Sequence, residues 1–289
     1  MLTFKIPSQT GIPTAARYCW MAERPRLVDA VRFAHYFHCR DTRRHPGFHR
    51  DVKYTKIVDL SPSYEALFDS FSKHTRRKIK QGSKESFQFE WDVSELELID
   101  VYSRFARDNN LPEVEKRLID AYWPDMKVTK LTYHGRTLVL HSLIVDKEAR
   151  RACMLHDAAM FRQMPDQRHK NLIGFANRYL HFLDMMHLKD MGITSLDLGG
   201  YARDTKDPHL QNINEFKDGF GGDLVEMSNY VSYPLHLYRL LSRRMHRPDL
   251  GDTVEVPVLA KASVDDSAGD RPDPVARRHV SLETVGTHA

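Results

Sequence analysis

The chain has 289 residues, 41% hydrophobic and 10% aromatic, enough for a sizeable core in one large domain or two small ones. Its net charge of +4 is unevenly spread: from Asp249 onward four Lys/Arg stand against eight Asp/Glu, so that tail carries −4 and residues 1–248 carry +8. A basic body implies an anionic partner such as RNA, a nucleotide or a phosphorylated substrate, while three cysteines (Cys19, Cys39, Cys153) without paired spacing argue against a disulfide framework.

The first twenty residues carry Lys5 and polar groups where a secretory signal needs an unbroken apolar core, and no apolar run approaches a membrane span. A cytoplasmic, soluble protein is therefore expected. Ala30–His38 reads as a strand and Tyr54–Leu60 as another. A single helix is expected from Ser61 to Gly82, with Ser61 or Ser63 as N-cap and an apolar stripe of Tyr64, Leu67, Phe68 and Phe71. Phe87–Trp91 is a short strand, and 94–109 and 112–123 are helices joined at Asn109–Asn110. Three strands follow, 127–135, 136–146 and 150–160, forming an antiparallel meander.

From His169 to Gly192 the 3.6-residue spacing of Leu172, Ile173, Ala176, Tyr179, Leu180, Leu183 and Met186 predicts the longest helix. A buried strand (193–198), a helix (208–220), a strand (223–234) and a last amphipathic helix (235–247) complete the folded part. Residues 248–289 hold few large apolar side chains and read as a disordered acidic tail. Helices alternating with a mixed sheet define an α/β or α+β architecture, and the order meander, helix, strand is that of GNAT acyltransferases.

The most specific stretch is "ITSLDLGGY" followed by "INEFKDGFGGDLVEM". An apolar strand that runs straight into Gly199 and Gly200 lets backbone approach a ligand. Phe216 and Phe220 lie at i, i+4 on one helical face, and Lys217, one residue off that stripe, is placed to reach a cleft. There a fixed cation stabilises a developing oxyanion or holds a phosphate. The alternative is a lysine that merely complements the dipole of a glycine-capped helix end.

A second feature is "KHTRRKIKQGSK". Lys73, Arg76, Arg77, Lys78, Lys80 and Lys84 crowd about three helical turns with no interleaved acid, with Arg76/Lys80 and Lys73/Arg77 at i, i+4. Either an anion neutralises them or they form a solvated face. Before the long helix there is no glycine between Met160 and Gly174, so Arg168, His169 and Lys170 would have to meet an anion through side chains instead of a glycine-rich phosphate cradle.

His45-x3-His49 imitates a zinc spacing, but no Cys-x2-Cys accompanies it, and no metal site is expected. Cys153 and His156, three apart on a strand, should face opposite ways. His156 and Asp157 either line an acceptor pocket or are ordinary sheet residues.

The segment "SLDLGGY…INEFKDGFGGDLVEMSNY" resembles the closing part of the Fem family, the peptidoglycan bridge-forming aminoacyltransferases, in which a "fDlgGi" strand precedes an "FKxxFGG" helix. The upstream "FSKHTRRKIKQGSKESFQFEW" resembles that family's Arg-rich helix and strand, and the likeness spans roughly Tyr54 to Tyr238. It implies a GNAT-like mixed sheet flanked by helices and an amide-forming acyl transfer, typically from aminoacyl-tRNA to an amine on a small molecule or a cell-wall or natural-product precursor. It implies no tightly bound cofactor. The family's functional Phe-Lys pair falls on Phe216 and Lys217.

Together these readings make Lys217 the catalytic cation and Asp197 the candidate base. They assign substrate contacts to Phe216, Phe220, Gly199, Gly200, Tyr201, Arg203 and His156, and tRNA or other anion contacts to Lys73, Arg76, Arg77, Lys80, Arg168, His169 and Lys170. Family members usually carry two GNAT units. Here the expectation is a partial unit in residues 1–53, a full one in 54–247 and the tail. The competing readings are an N-acyltransferase using acyl-coenzyme A or an acyl-carrier protein, and a non-catalytic RNA-binding protein.

Overall fold

The computed structural model describes residues 1–7, 15–163 and 166–245; the expected tail at 248–289 lies outside them. Ten strands form one mixed sheet. The N-terminal part supplies β1 (Leu2–Ile6), β2 (Ala16–Trp20), β3 (Ala34–Cys39) and β4 (Phe48–Asp59). Then come α1 (Tyr64–Ser70), α2 (Lys73–Gly82), β5 (Gln88–Trp91), α3 (Glu95–Asn109) and α4 (Lys116–Tyr122). The meander is β6 (Met126–Tyr133), β7 (Arg136–Asp146) and β8 (Arg151–Ala159), followed by α5 (Gln167–Asp190), β9 (Ser195–Gly200), α6 (Pro208–Asp218), β10 (Asp223–Ser232) and α7 (Tyr233–Met245).

The strand order is β1-β2-β3-β10-β4-β9-β8-β7-β6-β5. Only β2/β3 and β8/β9 are parallel among the described pairs. The expected boundary at 53/54 falls inside β4, which pairs with β10 along Phe48–Ile57 and with β9 along Thr55–Asp59. The N-terminal residues therefore share one sheet with the rest. Ala30–His38 is not wholly extended: Leu27–Val31 is a 3-10 turn, and the strand starts at Ala34.

The helix expected over 61–82 is two helices. Ser63 caps the first by accepting from Ala66 N, and Ser72 caps the second by accepting from Thr75 N. Between them Phe71 is extended, and its buried ring meets Phe220 at 5.5 Å. Core burial of that ring outweighs helix continuity. The helix expected to begin at Pro112 starts four residues later, at Lys116.

The meander is buried on both faces, which explains its long apolar runs. A β-bulge at β7/β8 pairs Ser142 with His156 and Leu143 with Met154, which leaves Leu155 as the extra residue. On one face of the sheet, Tyr102 of α3 meets His156 edge to face. On the other, Asp184 of α5 meets His141. Helices thus cover both faces of the meander. Among the described residues no helix is long and apolar enough to cross a membrane.

The glycines after α6 answer to close contacts, one with a side chain and one with backbone. A Cβ on Gly219 would lie 2.3 Å from Thr75 Oγ1, and one on Gly222, where φ is +77°, 2.3 Å from Ile57 O. Gly219 O accepts from Ser72 N at 2.9 Å, so the start of α2 docks directly on the end of α6. Gly222→Ala should cost more than the roughly 1–2 kcal/mol of left-handed strain alone, because its methyl also meets a carbonyl. Gly135→Ala, at φ +75° with nothing within 4 Å, should cost that strain only. Urea unfolding of the two variants measures the difference, and equal losses would refute the close contact.

Candidate active site around Lys217

The parallel pairing of β8 with β9 runs from Arg151/Ser195 to Cys153/Asp197 and stops there. Beyond it β8 continues to Ala159 and β9 to Gly200, each without the other as a ladder partner. α6 delivers Lys217 to this fork. Its ammonium donates to Gly200 O, and the groups whose charge favours it are Asp197 on β9 and Asp157 and Cys153 on β8. The side chain is 3% exposed. Burial disfavours the ammonium more than the carboxylates favour it, and the pKa falls to about 8. A lysine merely serving a helix dipole would be exposed with its ordinary pKa.

Phe216 and Phe220 flank the lysine at a ring separation of 5.4 Å, matching the sequence spacing. Their role differs from the one expected. Phe220 is fully buried, stacked on His181 and edge-on to Phe71. Phe216, 6% exposed, lies under the Arg178 guanidinium at 4.8 Å and against His181. Both anchor α6 in the core, and neither offers a face to a substrate.

Two polar groups border the ammonium. In the first, Asp197 accepts from His38 Nδ1 at 2.7 Å, from Gly199 N at 2.7 Å and from the Thr55 hydroxyl. His38 sits in left-handed backbone (φ +54°), and its amide donates to Asn229 Oδ1 at 3.0 Å in place of a regular ladder bond. Trp20 stacks on its ring. Burial opposes the imidazolium, but the Asp197 carboxylate on its Nδ1 outweighs it and holds the pKa well above the usual value. Burial and Asp197 push the Cys153 thiol up.

Burial alone would raise Asp197, but His38, Thr55 and the Gly199 amide bring it below the ordinary carboxylate range. With both oxygens engaged it is a poor proton acceptor near neutrality, so the sequence-based role of base does not suit it. The trio is no nucleophilic triad either. Cys153 Sγ, 4.0 Å away, and Asp197 both approach the same ring nitrogen, Nδ1.

In the second group, His141 hydrogen-bonds Asp184 at 2.7 Å through Nδ1 and Asn177 at 3.1 Å through Nε2, with Asp157 3.5 Å from Nε2. Burial disfavours its charge, but Asp157 and Asp184 prevail and push its pKa up to about 10. His181 hydrogen-bonds Asn177 O at 3.1 Å and, through burial and the neighbouring His141 cation, falls to about 3. Ligand-type atoms of His38, Cys153 and Asp197, and of His141, Asp157 and His181, each lie within 4.8 Å of one another. Uptake of a metal at either group would have to displace protons already held in hydrogen bonds.

The remaining expected residues are dispersed. Gly199 takes the positive φ (+79°) that brings its amide onto Asp197, and Gly200 supplies the carbonyl that Lys217 uses. Tyr201 donates to Asp218, and Arg203, exposed, bonds Tyr54. His156, hydrogen-bonded to Ser142 at 2.6 Å and lowered to about 4 by burial, is neutral and meets Tyr102 of α3. The bulge puts it on the same face as Cys153, contrary to strict alternation, but each has its own partner.

On α2, Arg76 pairs with Asp69 of α1 at 3.0 Å, and the Lys78 and Lys80 ammoniums lie over the Phe175 and Phe68 rings. The acid missing from α2 comes from α1. Lys73, Arg77, Lys80 and Lys84 face solvent. At the start of α5, Asp166 accepts from His169 N and from the His169 ring, so a carboxylate occupies the helix N-terminus. Arg168 is exposed, and Lys170 is half-buried.

No protein-family model matches the sequence, and no curated protein matches it. Among solved structures the chain is similar to FemX, with a TM-score of 0.57 and 12% identity over 82% of this chain and 86% of that one. It is similar, with a TM-score of 0.47 and 16% identity, to the C-terminal domain of a putative lysylphosphatidylglycerol synthetase from Agrobacterium fabrum, covering 84% and 83%. The fold is thus Fem-like, and in this chain the two parallel strands that part beside α6 are β8 and β9.

The raised His141 pKa has a consequence for stability. Its contribution is complete below the unfolded value of 6.5 and is lost as pH rises through about 10. His141→Gln should therefore lose several kcal/mol at pH 6, as expected when one member of a buried ion pair is removed, and distinctly less at pH 10.5. Urea titrations at both pH values read the gap; a gap independent of pH would mean that His141 is not charged.

Proposed function

We propose that the protein is an amide-forming acyltransferase that moves an aminoacyl group from aminoacyl-tRNA to an acceptor amine. The observation that carries this reading is the Lys217 ammonium at the fork of β8 and β9, at the position of the Fem-type Phe-Lys pair, within a fold shared with FemX. The acceptor amine attacks the ester carbonyl of the donor and forms the C–N bond. The tetrahedral oxyanion then collapses, the C–O bond to the terminal ribose breaks, and the proton shed by the amine ends on the ribose oxygen.

Lys217, with a pKa near 8, is mostly protonated at neutral pH and acidic enough to relay that proton, giving its own to the ribose oxygen and taking up the one the amine sheds. Its charge would also stabilise the oxyanion before collapse. Asp197 and His38 act as positioning groups: they lock the end of β9, whose Gly200 carbonyl holds the ammonium. The exposed cations of α2 would steer the polyanionic donor, since α2 begins where α6 ends. A tRNA donor is favoured over coenzyme A by Asp166, whose carboxylate occupies the α5 amides that a pyrophosphate would use.

The direct test supplies a mixture of labelled aminoacyl-tRNAs with amine acceptors and follows which label forms an amide. Lys217→Ala should lose on the order of 10²-fold in kcat with folding intact. Activity should fall as pH rises through about 8, where the ammonium loses its proton. Lys217→Arg, if it retains turnover, should lack that alkaline limb. An unchanged limb in the arginine variant would assign the titration to another group. Replacing Lys73, Lys80 and Lys84 together by Ala should reduce the salt slope of tRNA binding by about 2–3; an unaltered slope would show that α2 faces no phosphates.

A further inference from the structure

Seven of the eleven exposed large apolar residues among those described lie on two adjoining elements, the 3-10 turn Leu27–Val31 and α7. The turn exposes Leu27 (74%), Val28 (53%) and Val31 (80%). α7 exposes Tyr233, Leu237, Leu240 and Leu241, which fall on one helical face at i, i+4, i+7 and i+8. Only Leu235 of the four leucines of α7 is buried; the other three face outward, while Arg239 hydrogen-bonds Tyr18 and approaches His35.

Ring contact of Tyr238 with Phe33 ties α7 to the segment after the turn. Around the turn the exposed cations are Arg24, Arg26 and Arg32, of which Arg32 reaches Asp29 at 3.5 Å. Asp29 is fully buried beneath the turn. The exposed acid nearest in sequence, Glu23, lies near Arg40 and Arg151.

We propose that this face, α7 with the Leu27–Val31 turn, docks on an anionic lipid bilayer surface. Apolar side chains flanked by arginines are what an interfacial element presents: the leucines enter the headgroup–acyl boundary, and the cations meet lipid phosphates. A second copy of the chain fits less well. A two-fold contact through the same patch would bring its arginines against their own equivalents, where like charges repel. The proposal does not depend on the acyl-transfer reading. If both hold, the acceptor amine is presented at a membrane surface.

The test is co-sedimentation of the full chain with vesicles of phosphatidylcholine alone and of phosphatidylcholine with an equal part of phosphatidylglycerol. Binding is expected to the anionic vesicles and to weaken with added salt. Leu237→Glu with Leu241→Glu should lower the vesicle partition at least about tenfold, as should Arg24→Glu with Arg26→Glu. All four positions are exposed, so circular dichroism should be unchanged. Failure to bind anionic vesicles would overturn the proposal, as would binding that survives both double variants. So would a dimer in light scattering that the leucine pair dissociates, since the face would then belong to a second copy. Transfer assayed with a soluble acceptor is a separate readout, so loss of vesicle binding leaves the enzymatic reading intact, and the reverse holds.

Discussion

The buried ammonium of Lys217 organises the centre of this molecule. Taking a lysine out of water is costly unless carboxylates and carbonyls surround it, and here a backbone carbonyl of β9 and carboxylates from both parting strands do so. The sheet provides the space because β8 and β9 stop pairing after Cys153 and Asp197. The neighbouring charges then follow: His38 and His141 stay protonated because Asp197, Asp157 and Asp184 face them, and His181 stays neutral because it is buried beside the His141 cation.

Everything that fixes α6 serves to hold that ammonium in place. Phe216 and Phe220 fill the core beneath the helix, Gly219 admits the start of α2, and Gly222 passes over the backbone of β4. The same contacts put a cation-rich helix next to the candidate catalytic element, so the two features most visible in the sequence are one assembly. The N-terminal strands also take part, since β4 separates β9 from β10 and carries Thr55 to Asp197.

Much of the architecture was legible because its signals are local. The meander strands are long and apolar, α5 carries its 3.6-residue stripe over about four turns, and the glycines after α6 mark a real turn. What sequence reading missed depends on distant partners. β1 and β2 are only five residues long, so even the alternation of Leu2–Ile6 gives a weak signal, and the break between α1 and α2 is driven by the burial of Phe71. At the site, Lys217 and Asp197 were found through the glycines and aromatics beside them. His38, Thr55 and the His141–Asp184 pair were not, since a left-handed histidine and a lone strand threonine look ordinary until β4, β8 and β9 come together. Phe220 was misjudged for the opposite reason: an aromatic beside a lysine reads as a binding face, yet core packing claims it entirely.

The most direct test of this account is a nuclear magnetic resonance titration of the Lys217 side chain, with its resonance assigned by comparison with Lys217→Arg. A midpoint near 8 would place the charge in the low-dielectric fork between the two strands. A midpoint near the ordinary lysine value of 10.5 would mean that water reaches the ammonium freely and that Lys217 is no buried cation.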